Sequence, residues 1–325
     1  MLQDEIASAD SGLEYFVLDV FTDTRLQGNA LAVVLNPGTL STETMQAVAR
    51  ETNLSETTFI ERRNAEIERR EGVRVRIFTT EEELPFAGHP TLGTASLLRV
   101  IAPECIQEGT VTLALNVGPV PVLFKSQAHD WPVQGTMTQR DPEFGEALDA
   151  AEVAALTGLS IDDFDPARPI QIVSTGTAFA IVPLRSAESL ARLRVRHNEA
   201  TAFLRARGAR WFYVLGPEAY APQTGAADPP VWRARMQFNG GEDPATGSAS
   251  GCAISHLVHH GAVASGQTIH VRQGVEIGRP SDLFLSARLH EAPQTMPRTL
   301  AKSNVTDVRV GGSTILVAKG RLFLL

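Results

Sequence analysis

The stretch GEDPATGSASG, residues 241–251, places acids, glycines and serines just ahead of the apolar run CAISHL. A phosphate-binding P-loop requires G-x-x-x-x-G-K-[ST], and this stretch lacks both that spacing and the lysine. A serine nucleophile turn requires serine at the centre of G-x-S-x-G, where this chain has Ala249. The remaining interpretation is a helix that begins at Gly247, whose first N–H groups bind an anion such as a carboxylate. A glycine-rich turn capped by Asp243 or Thr246 is the alternative.

A second segment of the same kind occurs earlier, where Gly88-His89-Pro90 precedes an apolar helical run. Proline suits the first turn of a helix, so this segment also predicts a helix N-terminus. Two such helix ends facing one cleft would make a site for a small polar acid.

A candidate acid/base residue lies in NLSETTF, residues 53–59, where Glu56 joins a predicted helix to a predicted strand. Burial of a carboxyl at such a junction would raise its pKa toward the range useful for proton transfer at neutral pH. The alternative is an ordinary surface acid, which composition alone favours.

Three histidines, His256, His259 and His260, have the spacing of one helical face and suggest a metal site. They also lie at the end of the helix predicted from Gly247, where histidines interact favourably with the helix dipole. We favour the dipole interpretation and expect no metal at these histidines.

An internal repeat organises the chain, because four segments recur in the same order with a nearly constant offset. The matched pairs are GNALAVV at 28 with GTAFAIV at 176, RVRIF at 74 with RARMQF at 233, FAGHP at 86 with ATGSA at 245, and the glycine turns around Gly118 and Gly274. The repeat predicts two related α+β halves, each a mainly antiparallel sheet curled around one buried helix.

We place the first half at residues 1–125, with Glu56 and His89, and the second at 126–305, with Asp243 and the helix from Gly247. Residues 306–325 read as a closing hairpin with a Gly-Gly turn that could complete either half. Ser41 is predicted to cap a helix over TETMQAVARET, with one apolar stripe of Met45, Val48 and Ala49. The mixed-charge run of residues 61–70 is interpreted as a solvated loop.

Composition excludes several classes of protein. The net charge of −8 disfavours nucleic-acid binding, and no segment has the length and apolar character of a membrane span. The polar, acidic start differs from a secretory signal, so we expect a cytoplasmic protein. Cys105 and Cys252, the two cysteines, are expected to be small apolar residues rather than a redox pair.

Five segments together resemble the PhzF (phenazine biosynthesis F-like) family of isomerases in order and spacing. They are FTDTRLQGNALAVVL, ARETNLSETTF, IFTTEEELPFAGHPTLGTA, EDPATGSASG and QGVEIGRPS, and they span residues 21–281. The resemblance implies the diaminopimelate epimerase-like fold, with two pseudo-symmetric halves and an active site between them. It also implies a homodimer.

The same resemblance implies a reaction and the residues that perform it. In the best-known member, trans-2,3-dihydro-3-hydroxyanthranilate is isomerised by a proton shift without cofactor or metal. The family's proton-carrying glutamate matches Glu56, its histidine matches His89 and its aspartate matches Asp243. Ser55, Gly88, Gly247 and Ser248 are the corresponding substrate-binding positions.

Two other functions stay open: an amino-acid epimerase or racemase that acts at a single carbon, and a small-ligand binding protein. Related epimerases use two cysteines at the helix N-termini as paired bases, but those places lie near Ala87 and Thr246 here, and Cys252 is more than a turn inside its helix. This disfavours a two-thiol racemase. A small-ligand binding protein that keeps the cleft without chemistry is the rival from another class. The N-terminal extension and the polar stretch His290 to Asn304 have no assigned role.

Overall fold

The computed structural model describes residues 12–38, 40–125, 130–218, 229–238, 240–290 and 305–324. Within these ranges the chain divides into two compact units. Unit 1 comprises the described residues of Met1–Gly135 and Ser313–Leu325, and unit 2 comprises those of Thr136–Gly312. The halves predicted at 1–125 and 126–305 stay a prediction. The N-terminal extension and nearly all of the polar stretch from His290 lie outside the described residues.

Unit 1 is a mixed sheet with three α-helices. Its elements, in chain order, are β1 (Leu13–Val20), β2 (Asn29–Leu35), α1 (Thr42–Thr52), β3 (Glu56–Glu61), α2 (Ala65–Glu71), β4 (Val73–Phe78), β5 (Glu83–Leu84), α3 (Gly88–Ile101), a 3₁₀ turn (Pro103–Cys105), β6 (Thr110–Leu115) and β7 (Gly118–Phe124). Strand β8 (Val133–Thr138) begins in unit 1 and ends in unit 2.

Unit 2 has the same kind of architecture. Its elements are β9 (Glu143–Ala147), α4 (Ala150–Thr157), a 3₁₀ turn (Ile161–Asp163), β10 (Gln171–Ser174), β11 (Ala178–Pro183), a 3₁₀ helix (Ala187–Arg192), α5 (His197–Arg205), β12 (Phe212–Pro217), β13 (Val231–Arg235), β14 (Gln237–Phe238), β15 (Gly241–Glu242), α6 (Gly247–His259), β16 (Ile269–Gln273), a 3₁₀ turn (Val275–Ile277) and β17 (Ser281–Leu289). The last strand, β18, runs from Val305 to Leu322.

The strand pairings of the two units follow the same pattern, as the sequence repeat predicts. In unit 1, β1–β2, β3–β4 and β6–β7 are antiparallel, whereas β2–β3 and β4–β6 are parallel. In unit 2, β10–β11, β12–β13 and β16–β17 are antiparallel, whereas β11–β12 and β13–β16 are parallel. The equivalent strands and helices are therefore β2 and β11, β3 and β12, β4 and β13, and α3 and α6.

Each unit packs its sheet against one buried helix. Every residue of α3 from Gly88 to Arg99 is buried, as are the residues of α6 from Ala249 to Val258. Gly93 allows α3 to lie close to the sheet, because a Cβ there would be 2.6 Å from Leu31 Cδ2. The burial of apolar side chains around these helices provides most of the driving force for folding.

Helix α1 forms as its sequence predicts. The Ser41 hydroxyl accepts a hydrogen bond from the Thr44 N–H, and the buried residues are Met45, Val48 and Ala49. The structure describes no helix long and apolar enough to cross a membrane.

Two sequence predictions are wrong. The mixed-charge run is helical from Ala65 onward, in α2, because the Asn64 side chain caps the helix and the buried Glu68 carboxylate accepts hydrogen bonds from the Arg62 side chain and the Arg63 N–H. The predicted closing hairpin is one continuous strand, β18. Its Gly-Gly pair forms no turn, because Gly311 pairs with Phe284 of β17 and residues from Thr314 onward pair with β1.

Candidate active site

Glu56 is the first residue of β3 and is held there by the end of α1. Asn53 ends the helix in the left-handed conformation, at a φ of 52°, and the Thr52 and Thr57 hydroxyls share a hydrogen bond of 2.7 Å. The following residues, Thr57 to Ile60, are buried, so β3 is fixed in the sheet. Only 16% of the Glu56 side chain is exposed, which is not the exposure of an ordinary surface acid. Ser55, beside it, is exposed.

His89, in the first turn of α3, faces the Glu56 carboxylate. Its Nε2 atom lies 3.3 Å from Glu56 Oε2, and the imidazole is almost completely buried. Burial lowers the pKa of His89 from 6.5 to about 3, against the opposing effect of a hydrogen bond with the Ala30 backbone. The imidazole is therefore neutral at physiological pH.

Asn29 contacts the other nitrogen of the His89 ring. Its Nδ2 atom lies 3.2 Å from His89 Nδ1, and the Asn29 side chain is buried. In the tautomer that carries the single N–H of the neutral ring on Nε2, Nδ1 accepts a hydrogen bond from the Asn29 amide. Nε2 lies 3.3 Å from Glu56 Oε2, but the two atoms do not form a hydrogen bond of standard geometry in this structure.

The turn before β2 places Asn29. Gly28 has a φ of 67°, and a Cβ at this position would lie 2.4 Å from the Val20 carbonyl oxygen, so only glycine fits. The buried Asp19 carboxylate accepts a 2.6 Å hydrogen bond from the Leu26 N–H and fixes the same turn. We name Glu56, His89 and Asn29 the first cluster.

The second cluster, in unit 2, consists of Asp243, Thr246 and Gln273. The Thr246 hydroxyl donates to Asp243 Oδ2 at 2.7 Å. Gln273 Nε2 donates to the Asp243 carbonyl at 2.8 Å and to Thr246 Oγ1 at 2.9 Å. Asp243 is therefore held through both its backbone and its side chain.

Buried groups fix the Gln273 amide in turn. Its Oε1 atom accepts hydrogen bonds from the Thr246 N–H at 3.2 Å and from the Tyr213 hydroxyl at 3.1 Å. Tyr213 is completely buried, and burial raises the pKa of its hydroxyl, which stays protonated and able to donate. One series of donors thus leads from the Tyr213 hydroxyl through the Gln273 amide and the Thr246 hydroxyl to the Asp243 carboxylate.

Helices α3 and α6 share an unusual start. Neither N-cap residue, Ala87 for α3 or Thr246 for α6, makes a side-chain capping hydrogen bond. The alternative of a cap by the Thr246 side chain is not seen, because its hydroxyl donates to Asp243 instead. Uncapped first-turn N–H groups, including those of Gly247 and Ser248, are suited to a ligand carboxylate.

The three histidines at the end of α6 interact with their own unit. His256 is buried with its Nε2 atom 2.8 Å from the Pro169 carbonyl, His260 lies 3.0 Å from Gln171 Oε1, and His259 packs on Phe144. Among the residues that the structure describes, no group of three or more His, Cys, Asp or Glu side chains is arranged to hold a metal ion. Both cysteines are free thiols, Cys252 buried and Cys105 partly so.

The structure thus brings Glu56 and His89 together in unit 1 and places Asp243 beside the start of α6 in unit 2. Sequence analysis missed Asn29, Thr246 and Gln273 as partners of these residues. A signal was present, because Asn29 lies within FTDTRLQGNALAVVL, Thr246 within EDPATGSASG and Gln273 at the start of QGVEIGRPS.

Known proteins that resemble this chain match it almost from end to end. Trans-2,3-dihydro-3-hydroxyanthranilate isomerase of Pseudomonas aeruginosa is 35% identical over 314 residues, which cover 95% of this chain and 99% of the relative. An uncharacterized isomerase of Mesorhizobium japonicum is 33% identical over 95% of this chain and 98% of its own. The structure of a predicted epimerase from Pseudomonas aeruginosa superposes with a TM-score of 0.75 at 32% identity, covering 96% of this chain and all of that one.

These similarities show that the protein is an isomerase. Its fold is the diaminopimelate epimerase-like α+β fold, which confirms the predicted fold. The chain belongs to the PhzC/PhzF family, whose model, described as phenazine biosynthesis-like protein, matches residues 18–320.

Proposed function

We propose that this isomerase moves a proton between two carbons of a small carboxylic acid that is cyclic or bears an amine, with Glu56 as the general acid and base. Trans-2,3-dihydro-3-hydroxyanthranilate, named for the relatives, is the substrate to try first. The observation that carries the proposal is the pair formed by the mostly buried Glu56 carboxyl and a neutral imidazole, with Oε2 and Nε2 3.3 Å apart.

In the proposed reaction, the Glu56 carboxylate removes a proton from a carbon next to an unsaturated system. The electron pair of the broken C–H bond moves into that system, and the protonated Glu56 returns the proton to a carbon at its other end. Atoms and charges balance without a second reactant, so one carboxyl is sufficient. A group positioned in this way typically accelerates proton transfer by about 10²–10⁴-fold.

His89 would assist as a neutral hydrogen-bond donor rather than as a second acid. Its pKa of about 3 is too low for it to hold a second proton at neutral pH. With Nδ1 accepting from the Asn29 amide, its Nε2–H would orient the Glu56 carboxylate or a polar group of the substrate.

Substrate binding is assigned to the remaining matched positions. The N–H groups of Gly247 and Ser248 would bind the substrate carboxylate, and Asp243 would accept a hydrogen bond from its amine or hydroxyl. Ser55 and Gly88 complete the proposed substrate contacts. The support for these roles is the motif match and, for α6, the uncapped helix start.

The site chemistry favours isomerisation over a two-base epimerisation. A two-base mechanism needs a titratable group on each side of one carbon, and the N-cap positions of α3 and α6 carry Ala87 and Thr246. A homodimer remains part of the proposal, to be checked by light scattering.

The test is an assay of the purified protein against a panel of cyclic and amino carboxylic acids, starting with trans-2,3-dihydro-3-hydroxyanthranilate. The proposal predicts a product in which a double bond has moved, seen as new vinyl and methylene signals by NMR. A product that is only the mirror image or epimer of its substrate would contradict it, and so would tight binding of an acid without any conversion.

A further inference from the structure

Arg235 and Glu242 form a buried ion pair, and Glu242 directly precedes Asp243 in the sequence. On β13, Arg235 donates from Nε to Glu242 Oε1 at 2.8 Å and from Nη2 to Glu242 Oε2 at 2.5 Å, a bidentate geometry. Only 7% of the Arg235 side chain and 6% of the Glu242 side chain are exposed. The third nitrogen, Nη1, donates to the Leu190 carbonyl at 2.6 Å, so the guanidinium is anchored to the unit as well as to Glu242.

The hairpin that carries Glu242 is short, and besides the Arg235 contacts its Gln237 side chain accepts from the Val195 N–H at 3.0 Å and donates to Glu242 Oε2 at 3.1 Å. Strands β14 and β15 have two residues each, and they pair only as Gln237 with Glu242 and Phe238 with Gly241. Two-residue strands are marginal in water without packing or side-chain support. Asp243 follows β15 immediately, and its N–H donates to the Met236 carbonyl at 2.9 Å.

The same arrangement recurs in unit 1. Arg76 and Glu83 precede Arg235 and Glu242 by 159 residues each, and Arg76 donates from Nε and Nη2 to Glu83 at 2.9 and 2.7 Å. In the short hairpin of β4 and β5, Phe78 pairs with Glu83, as Gln237 pairs with Glu242. Glu83 lies five residues before Gly88, and Glu242 lies five residues before Gly247.

Both units therefore contain the same feature. A bidentate Arg–Glu pair fixes a hairpin of two paired residues per strand, and this hairpin precedes the start of the buried helix. We propose that the Arg235–Glu242 pair positions Asp243, and that the Arg76–Glu83 pair positions the segment that leads into His89. These residues act through others and do not touch the substrate themselves. The catalytic part of this inference rests on the proposed function, whereas the positional part does not.

The variants must separate positioning from simple stability. Removing one partner would leave a buried charge unpaired and could unfold the unit, so the main variant replaces both partners, Arg235→Met with Glu242→Leu. Such apolar replacements of a buried pair are often neutral for stability, but they remove the hydrogen bonds that fix the hairpin. Arg235→Lys with Glu242 retained keeps the charge and loses the bidentate geometry.

Amide hydrogen exchange of the free protein tests the positional part. We expect the peptide covering residues 240–246 to exchange at least ~10-fold faster in the double variant, at an unchanged melting temperature, with a smaller increase in Arg235→Lys. The matched control replaces another Arg–Glu pair, Arg62→Met with Glu68→Leu, and should leave this peptide unchanged. Wild-type exchange at residues 240–246 in a folded double variant would overturn the inference.

Kinetics with trans-2,3-dihydro-3-hydroxyanthranilate test the catalytic part. The Arg235–Glu242 double variant should raise KM about 10-fold with kcat little changed, as expected when a substrate contact is misplaced. Arg76→Met with Glu83→Leu should instead lower kcat, because His89 faces the proton carrier. Equal losses that follow the folded fraction of each variant would contradict positioning.

If the wild type does not convert this acid, the proposed function fails for this substrate, while hydrogen exchange still decides whether the pair positions Asp243.

Discussion

The two units share one pattern of strands and helices but differ at the positions that could do chemistry. The repeat and the strand registers place Trp211, the residue just before β12, where unit 1 has Glu56. They also place Thr177 where unit 1 has Asn29, and Ser248 where it has His89. At two of these positions unit 1 therefore carries a titratable group, Glu56 or His89, where unit 2 carries a neutral one.

The two units therefore share one structural framework but place different side chains on it. The sheet, the buried helix and the Arg–Glu pair are kept in both units, because they place a helix N-terminus. In unit 1 that N-terminus carries the neutral His89 beside a carboxyl, whereas in unit 2 it follows an aspartate whose orientation is fixed by Thr246 and Gln273. In the proposed function, unit 1 performs the proton transfer and unit 2 makes polar contacts to the substrate.

The largest expected effect on kcat comes from Glu56, which has no titratable counterpart in unit 2. Glu56→Gln should lower kcat about 10³-fold, because the amide cannot accept and return a proton. The matched change in unit 2, Trp211→Phe, should alter kcat by less than about 3-fold. Neither aromatic ring can accept and return a proton, so the substitution removes no acid or base. Steady-state kinetics of both variants measure the contrast. Equal losses in the two variants would remove the distinction between the units.

The next effect concerns stability, at the glycine that opens the repeated strand in each unit. Gly28→Ala should destabilise unit 1 by about 3 kcal/mol, because a Cβ would lie 2.4 Å from the Val20 oxygen at a φ of 67°. Gly176→Ala should cost only about 1 kcal/mol, because its φ of 137° is strained but a Cβ would meet nothing within 4 Å. Urea unfolding of both variants tests the order, and equal losses would refute it.

Asp243 should affect binding more than turnover. Asp243→Asn is expected to raise KM about 10-fold, the loss of roughly one charge-assisted hydrogen bond, with kcat changed much less. The equivalent position in unit 1 is Leu84, which pairs with Ile77 as Asp243 bonds to Met236. Leu84→Met serves as the control and should leave KM unchanged. A fall in kcat alone for Asp243→Asn would place the residue in the proton transfer instead.

The smallest effect is a change in the pH dependence of stability. Because the pKa of His89 is 6.5 unfolded and about 3 folded, the unfolded state binds a proton first as the pH falls. His89 therefore lowers the free energy of unfolding as the pH falls from about 6.5 to 3, by at most ~1.4 kcal/mol per pH unit.

His89→Gln should remove that slope between pH 6 and pH 5, a difference of about 1 kcal/mol. Ser248→Ala, at the equivalent position, should keep it. Urea titrations at the two pH values measure both slopes. Identical slopes in His89→Gln and the wild type would mean that the His89 imidazole is not buried in the neutral form.

Much of this arrangement was predictable from local chemistry. Ser41 caps α1 through its hydroxyl, and the repeated glycine segments gave the correct equivalence of β2 with β11 and of α3 with α6. These features depend on neighbouring residues or on sequence self-similarity, so they are visible without the fold.

Features that depend on distant partners were not predictable. Gly311-Gly312 resembles a hairpin turn, yet β18 continues through it because each of its ends has a different partner strand. Asn29 and Gln273 look like ordinary polar residues at strand ends, and their roles follow only from the hydrogen bonds to His89 and Asp243. Residue type alone could not assign these contacts.

The central claim is that Glu56 carries the proton. The most direct test incubates wild-type protein and Glu56→Gln with trans-2,3-dihydro-3-hydroxyanthranilate in heavy water and follows deuterium at each carbon by NMR. We predict that the wild type forms product, with deuterium only at the carbon that is protonated and only to the extent that the Glu56 proton exchanges with solvent, and that Glu56→Gln gives neither product nor deuterium while still binding the acid. Product formation by Glu56→Gln at the wild-type rate, with or without deuterium, would contradict this claim.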